Sequence, residues 1–80
     1  MKWFVYDISP VEPNVVGMTG AYRTESDREV ALARDLSLQA PGDAWDVVRG
    51  TLEAPDLDAA LRAVDAGDYE ITGRESGRSR

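Results

Sequence analysis

The sequence predicts an α+β fold: a small single-domain sheet of about four strands with two helices on one face, in the order ββαβαβ. Three observations predict it. Aromatic and β-branched runs stand at the start, in the middle and near the end of the chain, and two helical stretches are each opened by a capping residue. The length, 80 residues, suits one core and no more. The compact domain is expected over residues 1–73, with 74–80 as a flexible Arg/Ser/Gly tail.

Lys2 to Ser9 reads as a strand because Trp3, Phe4, Val5, Tyr6 and Ile8 are aromatic or β-branched and occupy both faces of a two-residue period. Two apolar faces place this strand in the middle of the sheet. Pro10 and Pro13 then break any ladder. A second strand is expected over Val15 to Arg23, where Val16, Met18 and Tyr22 share one face while Gly17 and Gly20 weaken it.

Ser26-Asp27-Arg28-Glu29 has the form of a capping box, in which the serine hydroxyl takes the amide of Glu29 and the glutamate reaches back to the amide of Ser26. A helix then runs to about Ser37 with Val30, Leu32, Ala33 and Leu36 on one broad face. One rival stays open. Val30, Leu32, Leu36 and Leu38 also share one face of a strand, interrupted only by Arg34, which would make Tyr22 to Leu38 a hairpin turning at Glu25 to Asp27; propensity favours the helix.

Ala40-Pro41-Gly42-Asp43 is a turn by residue chemistry. Ala44 to Glu53 follows as a strand through Trp45, Val47, Val48, Thr51 and Leu52; a short helix capped by Asp43 is the alternative, and Gly50 in mid-segment opposes it. The second helix spans Asp56 to Ala66, opened by Pro55 or Asp56, with Leu57, Ala60, Leu61 and Val64 as its buried stripe and Gly67 as a left-handed cap. Asp68 to Thr72 closes the sheet, alternating Tyr69 and Ile71. A faint repeat accompanies this layout, since Gly20-Ala21-Tyr22-Arg23-Thr24 and Gly50-Thr51-Leu52-Glu53-Ala54 each lead from a strand into a helix.

Composition narrows the function. The chain holds no histidine and no cysteine, which removes thiolate nucleophiles, a serine triad and cysteine-rich zinc sites. Asp56 and Asp58 lie two apart at a helix start, where they complement the helix dipole rather than share a ligand. Asp65, Asp68 and Glu70 surround Gly67 and offer oxygens of the kind calcium or magnesium prefer, but without the spacing of an EF-hand loop. Gly17-Met18-Thr19-Gly20 falls short of a phosphate-binding fingerprint. No enzyme activity, metal or cofactor is expected.

Fifteen acidic residues stand against nine basic ones, a net charge of −6. Arg74, Arg78 and Arg80 against Glu75 give the last seven residues +2, which leaves −8 on residues 1–73. Direct binding to nucleic acid is therefore disfavoured. There is no apolar run of spanning length and no signal-peptide pattern, so a cytoplasmic protein off the membrane is expected. The leading expectation is a non-enzymatic binding protein whose acidic surface docks on a basic, nucleic-acid-binding surface of a larger protein as an inhibitor or modulator. In composition, and in composition alone, it is like the acidic inhibitors and DNA mimics that phages and mobile elements deploy, anti-CRISPR proteins among them. The contacts expected are Asp27, Asp35, Asp43, Asp46, Asp56 and Asp58, with Trp45 as an exposed aromatic anchor. Two alternatives stand beside it: a homo-oligomeric structural or assembly protein from an acidic, salt-adapted or GC-rich proteome, and a carboxylate-based metal-dependent enzyme.

Overall fold

The apolar residues on both faces of the first strand organise the whole molecule. The computed structural model describes residues 1–11 and 17–78. The chain forms β1 (Lys2–Pro10), β2 (Met18–Tyr22), α1 (Glu25–Ser37), β3 (Ala44–Glu53), α2 (Leu57–Asp65) and β4 (Glu70–Arg78). One antiparallel sheet has the strand order β2-β1-β3-β4, so β1 is central as its two apolar faces require. Val15 and Val16, where the second strand is expected to begin, lie outside the described residues. The α+β class, the element order and the four strands agree with the sequence reading.

The placement of the helices does not. Trp3 and Val5 point to one side of β1 and meet Ala60 and Val64 of α2, together with Ala21 and Ala54. Tyr6 and Ile8 point to the other side and meet Ala31 and Leu32 of α1, together with Val47. Successive strand residues face opposite ways, so the two helices lie on opposite faces of the sheet rather than together on one. The physical reason is in β1 itself: a strand apolar on both faces needs cover on both, and each fully buried Val, Ile or Leu is worth about 2 kcal/mol. Both helices cover β2 and β1, and neither reaches β4.

The first helix also starts earlier than the capping box suggests. Thr24 is the cap: its backbone is extended, and its hydroxyl accepts from the Asp27 amide at 3.1 Å. Ser26 falls inside the first turn. Glu29 turns instead toward two arginines. The buried stripe of α1 is Arg28, Ala31 and Leu32, continued by the partly buried Asp35 and Leu36, whereas Val30 is 69% exposed. In α2 the cap is Asp56, which accepts from the Ala59 amide at 2.8 Å, and the helix ends at Gly67 with φ of +74°. Ala60 and Val64 are buried as expected, but Leu57 is half exposed.

The last strand is longer than predicted. β4 continues past Thr72 to Arg78, so residues 74–78, expected as tail, pair with β3 from Ala44 to Val48. Opposite Trp45 stands Gly77, whose missing side chain leaves room for the indole ring against the backbone. The Ser76 hydroxyl donates to Asp46, and the Arg78 guanidinium to the Gly42 carbonyl. These partners give a polar segment a reason to order that hydrophobicity alone does not supply. Among the described residues, no helix is long and apolar enough to cross a membrane.

Candidate functional site

The seven residues expected to form one contact surface are scattered by the fold. Asp27 lies at the start of α1 and Asp58 at the start of α2, on opposite faces of the sheet, and both are exposed. Asp56 is occupied as the α2 cap. Asp35 takes the hydroxyl of the buried Tyr6, whose pKa is pushed up by burial first and by that hydrogen bond second. Asp43 is buried, and its Oδ2 has no hydrogen-bond partner among the described residues. Asp46 is exposed on β3 and takes the Ser76 hydroxyl. Trp45 is half-buried on the α1 cluster rather than displayed as an anchor.

What does separate the surface is the pairing of charge. On the α1 side, carboxylates and guanidiniums form a lattice. Arg28 Nε donates to Glu29 at 2.9 Å, Arg49 Nε donates to the same carboxylate at 3.0 Å, and Arg49 Nη1 reaches Glu75 at 2.8 Å. The Arg49 guanidinium foremost, and Arg28 after it, hold the Glu29 carboxyl below its ordinary value although burial pushes the other way. The same hydrogen bond raises Arg49. Arg28 is itself 4% exposed, with its guanidinium centred 5.7 Å from the Phe4 ring.

The α2 side has no such lattice. Asp7 lies half-buried on β1, beside Thr19 in the register, and burial first and the Asp65 carboxylate second push its carboxyl above the ordinary value. Thr19 donates its hydroxyl to Asp65 at 3.0 Å. The Tyr69 hydroxyl is likewise raised, by burial and then by Asp7, with Arg74 opposing. The carboxylates of Asp58 on α2, of Asp68 in the turn after it and of Glu70 at the start of β4, the last on Phe4's side of the sheet by register, are exposed and make no ion pair or hydrogen bond among the described residues.

The last two of these line a groove of about 560 Å³ between the end of α2 and the sheet, together with Leu52, Glu53 and Tyr69, and with Lys2 as its one cation. Of the rim carboxylates, Glu53 is taken by the N-terminal ammonium at 3.4 Å. Asp68 and Glu70 stay unpaired beside a phenol ring and a leucine. Such a groove suits a long basic side chain, with an apolar stem against the ring and a charged head between carboxylates. Sequence reasoning weighs Asp68 and Glu70 as metal ligands and as part of the acidic surface, but leaves them out of the expected contacts and treats Tyr69 only as a strand residue. Among the described residues no three such side chains are grouped to hold a metal ion.

Comparison with protein-family models, with curated proteins and with solved structures finds no match to this chain.

Proposed function

We propose that this protein is a non-enzymatic binding module, and that its contact surface for a basic partner protein is the groove at the end of α2, flanked by the outer face of that helix. The observation that carries this reading is the asymmetry of charge pairing. Glu29 and Glu75 on the α1 side are neutralised from within the molecule, whereas Asp58, Asp68 and Glu70 leave their charge to the solvent. An unpaired field of one sign steers and orients an oppositely charged partner, and it does so without catalytic residues. The partner is a larger protein with a basic surface, of the kind that handles nucleic acid, and occupation of that surface would inhibit or modulate it.

The test is binding of an oligo-arginine peptide, measured by calorimetry across a salt series. Reversal of Asp58, Asp68 and Glu70 to lysine is expected to abolish binding, while Asp27→Lys on the opposite face leaves it within about twofold. Equal losses from the two variants would reduce the effect to net charge and remove the groove from the account.

A further inference from the structure

A second concave site lies on the α1 side, and its chemistry is the reverse of the groove's. It is a cleft of about 390 Å³ between the first turns of α1 and the open part of the sheet, lined by Lys2, Phe4, Arg28, Arg49, Thr51 and Thr72, with Glu25 as its one carboxylate. Three of the nine basic residues of an acidic chain meet here.

Their pairing is uneven. Arg49 is fully engaged by Glu29 and Glu75. Arg28 spends its Nε on Glu29, but its Nη1 reaches the Gly50 carbonyl only at 3.5 Å, and its Nη2 makes no hydrogen bond, standing 3.7 Å from Glu25. Contacts that long are weak for a guanidinium, which makes good bonds below about 3 Å. Lys2, the sole lysine, has no anionic partner among the described residues; its ammonium rests 5.3 Å from the centroid of the same Phe4 ring that Arg28 approaches. The hydroxyls of Thr51 and Thr72 are also without partners among the described residues. Two incompletely satisfied cations therefore approach one aromatic ring, one of them buried, with two free hydroxyls lining the same cleft.

We propose that this cleft binds a small phosphate monoester. Its unpaired donors outnumber the two oxygens of a carboxylate, whereas a phosphate brings close to two negative charges and three acceptor oxygens. Phe4 and the open sheet give the organic part an apolar floor, and the volume lies in the range of small-molecule sites. Glu25 does not block entry: its side chain is 71% exposed and swings into water at small cost. The cleft shares Lys2 and Thr51 with the lining of the acidic groove, whereas Phe4, Arg28, Arg49 and Thr72 belong to the cleft alone, so phenyl phosphate shifts at Phe4 and Thr72 and oligo-arginine binding at Asp68 and Glu70 are read separately.

The experiment is an NMR titration of the whole protein with phenyl phosphate, and with benzoate as the carboxylate of matching shape. Phenyl phosphate is expected to shift the amides of Phe4, Thr51 and Thr72 and the Arg28 Nε–H, saturating with a Kd below about 5 mM, and benzoate to bind about tenfold more weakly. Removal of Arg28 endangers the fold, so Lys2→Gln and the pair Thr51→Val with Thr72→Val serve as variants, each expected to weaken phenyl phosphate by about fivefold to tenfold, with Lys2→Arg retaining it. Shifts that do not saturate, that gather elsewhere, or that ignore the Lys2 and threonine variants would overturn the site. Equal affinity for benzoate would overturn the assignment to phosphate.

Discussion

The two faces of the sheet carry similar sequence chemistry and reach opposite electrostatic states. On the α1 side the helix stripe has an arginine at one end and an aspartate at the other, and both are used: Arg28 lies over Phe4, and Asp35 holds Tyr6. On the α2 side the stripe is Ala60 and Val64, and Asp58 and Asp68 stand outside it without an ion pair among the described residues. The difference teaches that net charge is a poor guide to where a partner can dock. What matters is which carboxylates the fold has already spent.

The comparison breaks most visibly at β4. Truncation after Thr72 removes Glu75, which anchors Arg49, and Gly77, over which Trp45 lies, and is expected to cost about 3 kcal/mol in denaturant unfolding. If the truncated chain kept its full stability, the α1-side lattice would not need the strand, and residues 74–80 would behave as the tail first expected. Arg28→Met comes next, at about 2 kcal/mol, because it strips a buried cation from Glu29 and Phe4 while keeping most of the packing volume.

Acid titration sharpens the comparison further, since the faces respond with opposite sign. Asp7 holds a raised pKa when folded, so the folded state binds the extra proton and stability falls as pH rises from 3.8 through that raised value. Glu29 holds a lowered pKa, so its contribution is complete above 4.5 and is lost as pH falls through the folded value. Asp7→Asn is expected to flatten the first dependence and Glu29→Gln the second, as read from melting temperature between pH 3 and 7. A common slope for both variants would mean that the faces are not electrostatically distinct. The smallest effect belongs to neutralising Asp58, Asp68 and Glu70 together to asparagine or glutamine, which should leave stability within about 0.5 kcal/mol of the parent, because these groups hold nothing inside the molecule.

Much of this fold was legible in the sequence, and the failures have identifiable causes. β1, β3 and α2 are marked by residues whose local chemistry agrees with their surroundings, down to Asp56 as cap and Gly67 as stop. In α1 the stripe at 28, 31, 32, 35 and 36 has good helical spacing, yet two of its members are charged, so the expected face keeps Leu32 and Leu36, which are buried or partly buried, but adds the exposed Val30 and Ala33. The double-sided β1 already implied helices on both faces. β4 carries almost no apolar signal beyond Ile71, because its order comes from partners on β3 far away in the chain. The groove and the cleft were invisible for the same reason, each joining residues from opposite ends of the sequence, such as Lys2 with Thr72.

One consequence of the two-sided core can be read with light. The chain has two tryptophans, and the fold gives one to each side: Trp3 sits among the α2 cluster with its indole N–H on the Ala54 carbonyl, and Trp45 belongs to the α1 cluster. Trp3 is sealed and Trp45 partly open, so their emission differs in wavelength and in access to a quencher. Replacing either one by phenylalanine leaves a chain that reports on a single layer. Coincident melting of the two would mark the shared sheet as the element that makes the layers fold as one cooperative unit, whereas separated transitions would mark it as a hinge between two independently melting layers.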